Sequence, residues 1–548
     1  FGFARVFDGD GVGGARIDIG AYERQTLPGL SLVVDTLVDE NDQIYSPGDR
    51  SLREAIALAN GSVGADTITF APSLTAGGLA TIHLSLGEFL IDESLTITGP
   101  GANLLRLDAA GSDPTPALKN GDGSRIFNIT NVNFPLLDVT ISGLMLNGGD
   151  AGGAGGAILT LENLTITDSI ITGNSSSSSG IRGVGAIYSA EFGSSLIVRD
   201  STISYNSAVN SEGGAIRVRF GSLLVERSTI ASNSAHSVGG GISAAPAAGG
   251  TVEIRDSEVT GNASGSGSSY YGGGGVFLFD AVASITGSTI SGNEAVRQGG
   301  GIDAHLGSLT ITGSMISNNE STSGPGGGIH QRFGSLTVDE STIAENTAFT
   351  VGGGIAATAG GDVEIRDSTI SGNLAKNDGG GVYLVNASAI VTGSTITNNV
   401  SMNSEGGGIR QRLGSLVVER STITGNDAFT VGGGISAADG GIAVDIRDST
   451  ISGNSSGAGN VNGWGGGGVF LFVASAAITG STISGNSAQN GGGGVFLYAA
   501  SATITNSTMS GNLANVDGGG IHIWNTQLSV LHTTITGNGA DADNNNSG

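Results

Sequence analysis

Residues Ser481–Val495 read STISGNSAQNGGGGV, and near-copies stand at Ser288 (STISGNEAVRQGGGI), Ser368 (STISGNLAKNDGGGV) and Ser507 (STMSGNLANVDGGGI). An apolar residue, an Asn three places on, a glycine run and another Ile or Val make up a repeating unit, the mark of a repeat architecture. Outward from this stretch, the Asn recurs from position 147 to position 538 at gaps of 26 to 32 residues, most often 26 or 27. Each gap holds three strand-sized apolar pieces, for example VYLV at Val382, AIVT at Ala389 and STIT at Ser394, with no helical pattern between them. Three short strands per period predict an all-β chain, a right-handed single-stranded parallel β-helix. Stacked at about 4.8 Å, some 15 regular coils form a rod of roughly 70 Å. The recurring Asn, including Asn293, Asn373, Asn399, Asn426, Asn454, Asn486 and Asn512, reads as a turn ladder whose amides hydrogen-bond along the rod. The glycines read as tight-turn residues, because no lysine or strand-to-helix context makes them a phosphate loop.

At 548 residues the chain exceeds an ordinary compact domain, a limit that stacked repeats escape. The net charge of −26 repels a phosphate backbone, which excludes nucleic acid as an expected partner. There are no cysteines, so disulfides and thiolate metal sites are excluded. No apolar run approaches the ~20 residues of a membrane-spanning helix. Phe1 is neither Met nor the start of a signal peptide, and the chain reads as a mature fragment or a piece of something longer.

Residues 1–25 read as a short closing segment and connector. Within it Asp8, Asp10 and Asp18 are candidate calcium ligands, although Val12 breaks the EF-hand pattern and a Gly-rich turn is the alternative. No cofactor is otherwise required. Residues 26–136 read as an N-terminal capping region with irregular first coils. In SLREAIALAN (Ser51–Asn60), Leu52, Ala55, Ile56 and Ala59 make one apolar stripe of a helix, with Ser51 and Glu54 as its capping box. Residues 137–538 carry the regular coils, and 539–548 read as an Asn/Asp-rich tail or linker. Two coils, GGGIHQRFGSLTVDESTI from Gly326 and GGGIRQRLGSLVVERSTI from Gly406, are near-copies 80 residues apart, which points to duplication of a three-coil block.

RSLREAIALAN (Arg50–Asn60) resembles the N-terminal motif of bacterial CSLREA-type β-helix proteins, with Arg50 where that family carries its Cys. RIDIGAYE (Arg16–Glu23) resembles the closing segment of the choice-of-anchor Q domain, and GGAI at Gly155 and Gly213 is similar to polymorphic outer-membrane protein repeats, though with Ile-x-x-Asn for Phe-x-x-Asn. The coils are shared by many pectin-lyase-like proteins. The resemblance implies a secreted or cell-surface protein. A closing segment ahead of an opening one implies a tandem array, or head-to-tail contact in which residues 1–25 meet the open C-terminal coil end of a neighbouring copy.

Along each strand after a glycine run, the Ile or Val points inward and the first and third residues after it point outward. That rule places Phe470 with Phe472, Phe496 with Tyr498, and His522 with Trp524 on an outer strip, joined by Tyr270, Tyr271 and Trp464 from loops. Contiguous exposed aromatics mark a contact surface, for protein or for sugar rings, unless the loops fold over them. Asp303, His305, His330 and Arg332 read as solvated surface rather than acid–base machinery, and no residue is assigned as catalytic. Arg217, Arg219, Arg410 and Arg412 read as exposed, and neighbours such as Glu226 with Arg227, Arg255 with Asp256 and Arg366 with Asp367 as a surface charge lattice. The expectation is a non-catalytic structural or adhesive rod; the alternative is a carbohydrate-binding or polysaccharide-degrading β-helix using the aromatic strip, with surface polysaccharide as its partner.

Overall fold

Alternation such as Leu309, Thr310, Ile311 and Thr312 sends every second side chain to one side, and in parallel register each inward residue meets its equivalent one coil on. In the computed structural model this pattern builds a right-handed parallel β-solenoid of about 17 turns. Residues 31–541 are described, apart from 47, 63, 132–134, 179–182, 247–248, 268–269 and 458–463. The calcium candidates Asp8, Asp10 and Asp18 and the closing segment 1–25 lie outside the described residues.

A representative coil runs through strands Ile302–His305, Ser308–Thr312 and Met315–Ser317 and then a two-residue strand, Glu320–Ser321. The fourth piece was missed in the sequence because two residues carry no periodicity. Inward residues from successive coils stack into one continuous buried core, as with Ile302 on Ile329 and Ile316 on Ile343.

The turn before the two-residue strand is held by the Asn row. The Asn319 side-chain oxygen accepts from the Asn293 backbone N–H at 3.0 Å and from Asn293 Nδ2 at 2.9 Å, and Nδ2 of Asn293 also donates to the Val259 carbonyl. The same arrangement repeats through Asn346, Asn373, Asn399, Asn426, Asn454, Asn486 and Asn512, all buried. A parallel row of serines, which the sequence reading passed over, does the same at the preceding turn: Ser288 N–H donates to Ser314 Oγ at 3.1 Å, and Ser314 N–H to Ser341 Oγ.

At the N-terminal side the helix Leu52–Asn60 packs on the strands Ser31–Val34, Asp66–Phe70 and Phe89–Ile91. Both halves of its capping box are formed, Glu54 N–H to Ser51 Oγ and Ser51 N–H to Glu54 Oε2, each at 3.1 Å. In the last coil Ile523, Val530 and Ile535 are exposed, where their equivalents Leu497, Ile504 and Met509 are fully buried.

The charge lattice keeps the expected Glu226–Arg227 pair and forms with different partners elsewhere. Arg255 pairs with Glu253 and Arg366 with Glu364, residues two back on the same strand and therefore on the same face. Asp256 and Asp367 instead take positive φ at the strand end, which turns them away. Arg227 bonds Asp200 of the coil before at 2.8 Å as well as Glu226.

Candidate functional site

The residue just after each inward Ile or Val forms a row along one face. In register it runs Tyr188, Arg217, Ser243, Phe277, Asp303, His330, Ala356, Tyr383, Arg410, Ser436, Phe470, Phe496 and His522. Parity places this row outside the core, and there the expected exposure ends. Phe470 is 1% exposed and Phe496 0%, so neither offers the open contact surface expected of it. The two rings pack in one cluster with Val431 and Ala438 against Trp464, Phe472 and Tyr498, and the glycine run closes over the base of the row. Gly326 (φ +69°) and Gly406 (φ +67°) start turns that fold back onto the residue four ahead, so that a Cβ on Gly406 would lie 2.8 Å from the Arg410 Cβ. The turn lays backbone over the row, and only glycine fits there.

The third residue after the inward position stays more open. Phe472 and Tyr498 are half-buried and Trp524 is 56% exposed, stacked in sequence at 5.2 and 5.9 Å between ring centroids. Trp464 lies across Phe470, Phe472 and Tyr498, and His522 stacks on Phe496 at 4.7 Å. Tyr270 is exposed, whereas Tyr271 is half-buried against Phe277 and Phe279.

Two arginines of the covered row are buried rather than solvated, as their paired carboxylates permit. Glu212, five residues before Arg217, reaches back across the turn to its guanidinium. Ser243 Oγ donates to the same carboxylate at 3.3 Å. Burial pushes the Arg217 pKa down, and the Glu212 charge opposes that shift. Beside this pair opens a groove of about 570 Å³, lined among others by Glu212, Arg217, His236, Tyr271, Phe277 and Phe279.

At the next coil stands the cluster assigned above to solvated surface, and that assignment is corrected. Asp303, His305 and His330 are 0%, 3% and 1% exposed. One oxygen, Asp303 Oδ1, accepts from His305 Nε2 at 2.8 Å and from His330 Nδ1 at 2.7 Å, while Oδ2 accepts from the Gly272 N–H at 2.8 Å. Burial alone would raise the Asp303 pKa. The two imidazole hydrogen bonds and the imidazole charges outweigh it and hold the carboxyl at about 2. An ionised Asp303 takes a proton-bearing Nε2 of His305 and holds the ring in one orientation. The edge of His305 meets the Tyr271 ring at 4.6 Å, so the cluster packs behind one of the rings that line the groove. Arg332, expected in the same cluster, instead lies over the Phe333 ring.

The ligand atoms of Asp303, His305 and His330 lie within 4.8 Å of one another, as do those of Asp113, Asp122 and Asp150, so both groups have the spacing of a metal site. In the first group the polar atoms already satisfy each other directly, and in the second Asp150 is spoken for by Asn120, Gly121 and Ser175.

The family described as "Right handed beta helix region" matches residues 274–456. The fold is a right-handed parallel β-helix. No curated protein matches the chain significantly. Among solved structures, the chain is similar to the periplasmic alginate epimerase AlgG (11% identity over 83% of this chain and 84% of that one, TM-score 0.29). It is similar also to the PL6 family alginate lyase AlyGC (11%, 89% and 99%, TM-score 0.24). A third is PfbA, a surface adhesin of Streptococcus pneumoniae (10%, 88% and 89%, TM-score 0.19). At these identities the likeness is one of fold. The specific CSLREA and choice-of-anchor Q resemblance finds no counterpart among these matches. The expectation of a non-catalytic chain is withdrawn: the solved structures similar in fold bear the names of an epimerase and a lyase as well as an adhesin, and Asp303, His305 and His330, read as solvated surface, are buried and hydrogen-bonded to one another.

Proposed function

We propose that the chain binds a polysaccharide, outside the cell or at its surface, in the groove between Arg217 and Tyr271. The observation that supports this reading is the pairing, in one groove of about 570 Å³, of aromatic rings with a fixed Arg–Glu pair. Sugar rings present C–H faces and hydroxyl edges; Tyr271 and Phe279 suit the first, and Glu212, Arg217 and His236 the second. A net charge of −26 favours a neutral glycan over an acidic one. Affinity electrophoresis in gels containing xyloglucan, galactomannan, laminarin or dextran tests it. Retardation in at least one gel, weakened in Tyr271→Ala, supports the reading; free migration in all four overturns it.

A second reading, chemistry on the bound glycan, is favoured by the Asp303–His305 pair that packs behind Tyr271. It requires new reducing ends or altered sugar composition after incubation with the retarding polysaccharide, abolished in His305→Ala while retardation persists.

Head-to-tail association through residues 1–25 stays a proposal about residues outside the described ones. Sedimentation of the chain with and without residues 1–25 measures it.

A further inference from the structure

The groove at Arg217 has a counterpart. Glu212, Arg217, Ser243, Tyr271, Phe277 and Phe279 recur 193 positions on as Glu405, Arg410, Ser436, Trp464, Phe470 and Phe472. The contacts recur with them. Arg410 is buried and meets Glu405 at 3.2 Å, and Ser436 Oγ donates to Glu405 at 2.8 Å, as Ser243 does to Glu212. Trp464 lies 6.1 and 5.8 Å from Phe470 and Phe472, where Tyr271 lies 5.5 and 6.2 Å from Phe277 and Phe279. Even the tyrosine one coil before each arginine is kept, Tyr188 beside Arg217 and Tyr383 beside Arg410. This offset spans seven coils and differs from the 80-residue repeat, so the two sites sit about 34 Å apart on one face at about 4.8 Å per coil.

The two copies differ in the coil that follows. After Phe277 and Phe279 come Asp303 and His305; after Phe470 and Phe472 come Phe496 and Tyr498. The first copy therefore abuts an acid–base group and the second abuts rings. Phe472, Tyr498 and Trp524 continue the half-open row past the second copy, with ring centroids 5.2 and 5.9 Å apart. Aromatic rings beside a buried Arg–Glu pair repeat the chemistry of the first groove.

We propose that the coils carrying Glu405, Arg410, Trp464 and Phe472 form a second, binding-only glycan site that holds the same neutral polysaccharide as the first. The inference rests on the glycan reading of the first groove. Glu405 and Asp439 at its polar end again disfavour an acidic polymer. A chain longer than about 34 Å engages both sites, and the second contact is then intramolecular. The site without chemistry keeps the polymer attached while the other releases and rebinds it.

The same electrophoresis on xyloglucan, galactomannan, laminarin and dextran, with the full chain, separates the outcomes. Trp464→Ala and Tyr271→Ala are each expected to weaken apparent affinity for the retarding polysaccharide by ~10-fold or more, and the double variant to migrate freely. Trp464→Phe, which keeps a ring, retains most of the retardation. Far-UV circular dichroism checks the fold; if Trp464→Ala fails to fold, Tyr498→Ser takes its place. A folded Trp464→Ala protein with wild-type retardation, while Tyr271→Ala has lost it, overturns the second site and leaves the first standing. Free migration of the wild type in every gel overturns both. Retardation lost in Trp464→Ala alone, with Tyr271→Ala unchanged, keeps this site and overturns the first.

Discussion

Asp303 Oδ1 lies 2.7 Å from His330 Nδ1 across a single coil boundary, 27 residues apart in sequence, and the same oxygen takes His305 from its own strand. A buried carboxylate serving two imidazoles stabilises the stack and fixes the orientation of both rings behind Tyr271. Asp303→Asn replaces an ionised acceptor by an amide with one oxygen and a misplaced donor. The expected cost is about 2–3 kcal/mol, read as a lower thermal or urea midpoint.

That stabilisation depends on pH with a defined sign. The folded pKa of about 2 lies below the ordinary 3.8, so the unfolded chain takes up the proton first as pH falls. The contribution of about 2 kcal/mol is complete above about pH 4 and is lost as pH falls towards 2. The difference in stability between wild type and Asp303→Asn is therefore expected to shrink between pH 4 and pH 2. A constant difference across that window contradicts the ionised assignment.

Asn373 accepts from the Asn346 N–H and amide and donates to the Ile343 carbonyl and to Asn399. Asn373→Ala leaves these buried groups unpaired, at a cost of about 3 kcal/mol or more. Hydrogen exchange is expected to rise first in the flanking coils, because each coil of a solenoid leans only on its neighbours. Thr369→Ser, on the same coil and outside the ladder, changes exchange little.

Gly406 and Gly313 both have positive φ, +67° and +56°, but only the first has neighbours where a Cβ would stand. Gly313→Ala is expected to cost about 1 kcal/mol of backbone strain. Gly406→Ala, whose Cβ would meet the Ile409 carbonyl at 2.6 Å, is expected to cost about 3 kcal/mol or more and to expose Arg410. Paired melting curves distinguish the two.

The period, the inward alternation and the helix at Ser51 were legible because each is a local pattern repeated many times. What covers the outer row was not. Parity says that Asp303 and Phe496 point away from the core, but the turns that return over them are set by the positive-φ glycines Gly299 and Gly492, whose neighbours parity does not count. The arginine pairs were hidden for a related reason. Glu212 and Arg217 stand five apart, a spacing that matches neither strand nor helix and closes only when the glycine turn is built. The signal was nevertheless present, since Glu-Gly-Gly-x-Ile-Arg occurs twice, at Glu212 and at Glu405.

Isothermal titration of wild type and Tyr271→Ala with the neutral polysaccharide that retards the wild type tests the account most directly. Loss of one ring from the groove is expected to weaken binding about tenfold while the thermal midpoint stays within a few degrees of wild type. Equal affinity of the two proteins would contradict the assignment of the Arg217–Tyr271 groove as the glycan site.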